Sequence, residues 1–272
     1  MIGAIIGDII GSVYEHDNIK TKDFPLFSNK CAFTDDTVLS VATAKWLLEG
    51  NECFRHYYEL TSRYPTAGYG TGFIKWYFQV KYHKNPKPYN SCGNGSAMRV
   101  GPVGWAFDIE PELLAAAKIS AECTHNHPEG IRGAQAIAFC IFMARHGFNV
   151  AEIKQAIEER FGYNLSTSID ELRLRYSWHG MDGLGNGGIC QDSVPQAIIC
   201  ALQAFDFEDA IRNAISIGGD SDTIGCMTGS IAEALYGIPK SIAEKALLYL
   251  PDDLSLTITD FEKKFGTFII NN

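Results

Sequence analysis

Asp35 and Asp36 stand side by side in FTDDT (33–37), ahead of the apolar run VLSVATAKWLL. An aspartate at a helix start accepts a backbone N–H and complements the dipole. One aspartate does that work, and neighbours on a helix point about 100° apart, so two cannot cap equally well. Thr34 adds a third oxygen. The pattern recurs in GGDSDT (218–223), where Asp220, Asp222 and Thr223 precede a second apolar helix. Four carboxylates sharing a small volume repel unless cations lie between them. Oxygen donors of this kind suit hard divalent ions, Mg²⁺ or Mn²⁺, rather than zinc, and a pair of ions suits so many carboxylates. The plain alternative is two unrelated capped helices.

These groups need helices to carry them. GAIIGDIIGSVYE (3–15) repeats Gly3, Gly7, Gly11 and Glu15 every four residues. The spacing predicts a helix with one bare face that ends in Glu15, a fifth carboxylate for the same centre. The alternative reads Glu15 as a solvated helix end and Asp8 as a buried hydrogen-bond partner. Gly225 and Gly229 lie on one face of the helix that follows Asp222 and fit a close helix–helix approach. Apolar periodicity predicts further helices at 35–50, 111–123, 129–147 (central), 150–162, 193–205, 207–219, 222–237 and 241–250. Strand signals are confined to short pieces near 265–270. The expected fold is all-α, a compact single domain over residues 1–272 with about a dozen helices and short loops. Two long polar, glycine-rich loops, 83–96 and 177–192, are where function is expected.

SCGNGSAMR (91–99) places Gly93 and Gly95 before a helix, where bare backbone N–H groups can hold an anion. GLGNGG (183–188) is a second such run. Neither follows a strand, so neither is a dinucleotide fingerprint, and GYGTGF (68–73) fails for the same reason. His125 and His127 in CTHNHPEG fit no strong zinc spacing. Tyr69, Phe73, Trp76 and Tyr77 could frame a base or simply be core, the commoner fate of aromatic residues.

A net charge of −9 argues against general nucleic-acid binding. Asp8 interrupts the greasy N-terminus, which lacks the basic start of a signal peptide, and no stretch is apolar enough to span a bilayer. Eight cysteines without a CxxC pair read as reduced, mostly buried thiols. Together these lead us to expect a cytoplasmic protein, with a monomer as the default.

The motifs GAIIGDIIGSVYE, FTDDT, GNGSAMRVGPVG (93–104), THNHPEG (124–130), SVPQAI (193–198) and GGDSDTIGCMTGSIAEALYGIP (218–239) together resemble the ADP-ribosylglycohydrolases. The resemblance implies an all-α fold, two Mg²⁺ or Mn²⁺ ions, and cleavage of ADP-ribose from a modified protein or a small conjugate such as ADP-ribosyl-arginine or ADP-ribosyl-serine. It implies that Thr34, Asp35, Asp36, Asp220, Asp222 and Thr223 hold the metals, with Glu15 beside them. Glu15, Asp36 and Asp220 are then the candidate general bases. Gly93, Asn94, Gly95, Ser96, Met98 and His125 are the expected ADP-ribose contacts on one wall, and Gly185 and Gly187 on the other. An ADP-ribose-binding module without turnover, or another Mg²⁺-dependent nucleotide hydrolase, are the alternatives.

Overall fold

The computed structural model describes residues 1–82 and 86–271, so the first three residues of the loop expected at 83–96 lie outside them. In chain order the helices are α1 Ile2–Gly11, α2 Asp35–Glu49, α3 Cys53–Arg63, α4 Thr71–Tyr82, α5 Gly95–Met98, α6 Gly101–Ala106, α7 Glu110–Glu122, α8 Pro128–Arg145, α9 Val150–Phe161 and α10 Ile169–Arg175. Then follow α11 Cys190–Leu202, α12 Phe207–Ser216, α13 Ser221–Tyr236, α14 Lys240–Leu247 and α15 Asp252–Phe265. Among the described residues, four two-residue strands complete the fold. β1 (Tyr176–Ser177) pairs antiparallel with β2 (Gly180–Met181), and β3 (Ile238–Pro239) pairs parallel with β4 (Ile269–Ile270).

The centre of the molecule is the pair α1 and α13, which touch backbone to backbone. A Cβ added at Gly7 would lie 1.9 Å from the Gly225 carbonyl oxygen, and one at Gly3 would lie 2.1 Å from that of Gly229. Each glycine in a helix interior costs about 0.5–1 kcal/mol relative to alanine. The close approach offsets this by bringing two otherwise apolar helices into full contact. Glu233 of α13 closes one end, accepting from the Gly3 amide (2.8 Å), the Met1 ammonium (2.8 Å) and the Thr267 hydroxyl (2.9 Å). As expected, α8 is central: it packs against α5, α6, α7, α9, α11 and α13 and buries Ala134, Ile137, Cys140 and Ile141 completely.

Several boundaries differ from the sequence expectation: α12 ends at Ser216 rather than 219, α14 at Leu247 rather than 250, and α3, α4, α6 and α10 have no counterpart in it. α1 stops at Gly11 instead of running to Glu15. Asn18 donates to the Tyr14 carbonyl (2.6 Å), taking the place of a further turn of helical amides, and the chain leaves the helix axis there. α11 begins at Cys190, three residues early, because the Cys190 amide donates to the Cys92 carbonyl (2.9 Å) and ties this helix to the glycine loop. Residues 252–265, read without a helix, form α15. All eight cysteines are free thiols, and no helix among the described residues is long and apolar enough to cross a membrane.

Candidate metal centre and ligand cavity

Thr34 answers the question raised by the paired aspartates. It is the N-cap of α2, its hydroxyl accepting from the Asp36 amide (3.3 Å), so neither aspartate is used as a cap. Both carboxylates are left for other work. Asp8, at the middle of α1, anchors this turn. Its carboxylate accepts from the Thr34 amide (2.9 Å), the Thr34 hydroxyl (2.7 Å) and the Thr37 amide (3.0 Å). The Asp35 amide donates to the Ala67 carbonyl (2.6 Å), which draws the 68–73 glycine run alongside.

The second group is set by Gly218 and Gly219, both in the left-handed region at φ +70° and +80°. Two consecutive residues of this kind swing Asp220 inward at the head of α13. Asn94 donates to Asp220 Oδ2 (2.7 Å). The Thr223 hydroxyl donates to Asp36 Oδ2 (3.1 Å), so the two groups are one assembly and not two separate caps.

Glu15 reaches the same place from a turn rather than a helix end. Trp178 Nε1 donates to its carbonyl (2.8 Å), and Asn18 both donates to the Gly219 carbonyl (2.9 Å) and accepts from the Gly219 amide (2.8 Å). Lys20 Nζ donates to the Tyr176 carbonyl (2.5 Å) and to that of Ile217, pinning this segment beside the glycine turn.

Carboxylate oxygens of Asp8, Asp36 and Asp222 come within 4.8 Å of one another, as do those of Glu15, Asp220 and Asp222. Asp222 belongs to both groups. Among the described residues, no lysine or arginine is ion-paired with Asp8, Asp35, Asp36, Asp220 or Asp222, and Glu15 faces only the exposed His16 at 3.8 Å. Asp36 Oδ1 is buried with no hydrogen-bond partner. Burial, followed by repulsion from Asp8 and Asp220, pushes Asp35 up to about 8, although its side chain still opens on the cavity. Burial and neighbouring carboxylates raise Asp36 and Asp222 well above the ordinary range. Glu15 is raised by burial and then by Asp220. Among the described residues these acids are assembled without an ion-paired lysine or arginine, and their oxygen-only donor set fits divalent cations.

The cluster forms one end of a cavity of about 290 Å³. Gly93, Asn94, Gly95, Met98 and His125 line it. Ser96 does not: its hydroxyl is buried against the Gly130 carbonyl (2.7 Å). Gly185 and Gly187 also fall outside the lining. Gly185 packs on the Asp192 carboxylate and Gly187 on the Trp178 backbone, and it is Gly188 that reaches the cavity. The helix after the glycine loop is the single turn α5, too short for a sizeable dipole, so the loop offers bare backbone rather than a helix end. His127 serves as the N-cap of α8, accepting from the Glu129 amide (3.1 Å). Of the aromatic residues, Phe73 lines the cavity, Trp76 is core, Tyr69 stacks on Phe73, and Tyr77 stacks on Tyr58.

Other lining residues escape the sequence reading: Tyr89, Ser91, Trp178 and the glycines Gly68, Gly70 and Gly72. The 68–73 run fails as a dinucleotide fingerprint, yet its small residues still signalled a wall that something approaches closely. Asp8 carried a signal too, as the one charge inside an apolar helix.

Comparisons with known proteins bear on the family and the fold. The human "ADP-ribosylhydrolase ARH3" is 28% identical, over 93% of this chain and 90% of its own length. The "ADP-ribosylarginine hydrolase Tri1" of Pseudomonas putida is 21% identical over 88% of this chain and 70% of its own. A solved structure described as "ADP-ribosylglycohydrolase-related protein complex" shares the fold, with a TM-score of 0.71 and 22% identity across 97% of this chain and 96% of that one. The model of the ADP-ribosylglycohydrolase family matches residues 1–263, the span that carries every element of the acidic centre and its cavity, and the chain belongs to that family.

Proposed function

We propose that this chain is a divalent-cation-dependent ADP-ribosylhydrolase that releases ADP-ribose from an N- or O-linked acceptor. One observation carries the reading. Five carboxylates, Glu15, Asp35, Asp36, Asp220 and Asp222, line one cavity with the buried Asp8 behind them, none is ion-paired with a lysine or arginine among the described residues, and all of the six except Asp35 fall into two groups that share Asp222. Asp36 and Asp222, with the Thr34 and Thr223 hydroxyls and Asp35, would hold one Mg²⁺ or Mn²⁺. Asp220 and Asp222 would hold a second, with Glu15 beside it. Bound there, the cations supply Lewis-acid polarisation and a template for the vicinal hydroxyls of the distal ribose.

The protein's own groups do the rest. Asp8 and Asn94 take no part in the chemistry; they fix the Thr34 turn and the Asp220 carboxylate in place. Glu15 is the best-placed general base. Its backbone is held by Trp178, its carboxylate accepts no hydrogen bond from a described protein donor, and its raised affinity for a proton makes it a stronger base once ionised. Water adds to the anomeric carbon as Glu15 takes its proton, the bond to the acceptor breaks, and the acceptor leaves with the proton that Glu15 returns. The transition state has oxocarbenium character, as in glycoside hydrolysis generally. The bare loop of Gly93 and Gly95, with His125 above it, suits the diphosphate end of the ligand.

One relative's name gives arginine as the acceptor and the ARH3 names give none, so substrate choice is set by experiment. Purified protein is incubated with ADP-ribosyl-arginine, ADP-ribosyl-serine and O-acetyl-ADP-ribose, and free ADP-ribose is measured. Release from at least one conjugate is expected. ADP-ribose binding without release from any of them would instead mark a binding module.

A further inference from the structure

Arg99 is fully buried, yet no carboxylate lies within 4.0 Å of it among the described residues. Its guanidinium lies 4.2 Å over the Tyr57 ring, and Nη2 donates to the Ser120 carbonyl (2.6 Å) and to Thr124 Oγ1 (2.7 Å). Thr124, also fully buried, has one other side-chain partner: His125 Nδ1 at 2.7 Å. The far nitrogen, His125 Nε2, has no hydrogen-bond partner among the described residues and opens on the cavity. A Cβ added at Gly95 would lie 3.1 Å from it, and one at Gly93 3.5 Å.

The donor inventory decides the protons along this line. A guanidinium can only donate, so Thr124 Oγ1 must accept from Arg99. The single hydroxyl hydrogen then points to Nδ1 of His125 at 2.7 Å, a far better acceptor than the neighbouring Cys123 sulfur. An Nδ1–H tautomer would point two donors at one oxygen and strand the buried threonine hydrogen, at a cost of about 1–3 kcal/mol. A doubly protonated ring would do the same and place a second positive charge beside Arg99. Burial and Arg99 also hold His125 well below its ordinary range.

We infer that Arg99 and Thr124 are positioning residues that fix His125 as the neutral Nε2–H tautomer, so that the glycine loop faces a permanent hydrogen-bond donor for a ligand oxygen. The ligand half of this inference rests on the ADP-ribose reading above; the tautomer does not.

The test is a two-bond ¹H–¹⁵N spectrum of ring-labelled, ligand-free protein near neutral pH, with the His125 signals identified by their loss in His125→Gln. Wild type should show a protonated Nε2 and a bare Nδ1. A protonated Nδ1, alone or in an imidazolium, would overturn the inference. Thr124→Val, nearly isosteric, should mix the tautomers and weaken ADP-ribose binding by calorimetry about tenfold, the worth of one hydrogen bond. Thr124→Ser should restore both. A folded Thr124→Val protein with unchanged tautomer and affinity would remove Thr124 from the role, and if that variant does not fold, the wild-type spectrum still decides. A wild-type protein that shows the Nε2–H tautomer but binds no ADP-ribose would sustain the tautomer and sink the ligand reading.

Discussion

Glu15, like Asp35 and unlike the other four acids, has a carboxylate that accepts no hydrogen bond from the described residues. Asp8 is saturated by the Thr34 turn and Asp220 is tethered by Asn94, whereas the Glu15 carboxylate is fixed only through its backbone. That freedom suits a group that must take and return a proton. Glu15→Gln keeps the volume and removes the base, so ADP-ribose affinity should stay near wild type while turnover falls about 10²–10⁴-fold. If Glu15 serves only to order a cation, excess Mg²⁺ should recover much of the lost rate. Turnover measured against Mg²⁺ concentration separates these roles, and wild-type turnover at every concentration would exclude both.

The element that makes the centre is the α1–α13 pair, and its glycines are the part most exposed to mutation. At Gly7 a methyl group would meet the backbone of Gly225 and Cys226, with no side chain free to yield. Gly7→Ala should therefore cost about 1–3 kcal/mol or more in denaturant unfolding, the range for overpacking a core. Gly70→Ala lies at the cavity wall with nothing within 4 Å of the added carbon and should leave stability within about 0.5 kcal/mol, as for a surface change. Equal losses at both positions would contradict the packing account. These glycines and the Asp/Asp/Thr groups were legible in the sequence because each is a short local pattern with one physical purpose. The roles of Asn18, Trp178 and Tyr89 were not legible, since they follow from contacts between segments far apart in the chain. α15 lay between these cases. Its buried residues Leu254, Ile258 and Phe261 keep helical spacing, but the β-branched run Thr257–Ile258–Thr259 and the charges around it blurred the period.

At the scale of the whole molecule, the cost of gathering six acids must appear in stability. Without cations, the folded state retains protons that the unfolded chain releases near its ordinary value of about 3.9. That proton-linked stabilisation is complete below this value and is lost as pH rises through the raised value of Asp35, about 8. In EDTA the melting temperature should fall between about pH 5 and pH 8.5, and Mg²⁺ should raise it more at the alkaline end, where cations replace the missing protons. A melting temperature indifferent to both would mean that the acids do not form a coupled centre. The most direct test is the rate of ADP-ribose release by protein stripped of divalent ions and then titrated with Mg²⁺ or Mn²⁺. The acidic centre predicts no release in EDTA, recovery with either ion, and little recovery in Asp222→Asn, which breaks the residue common to both groups. Full release by the stripped wild-type protein would contradict it.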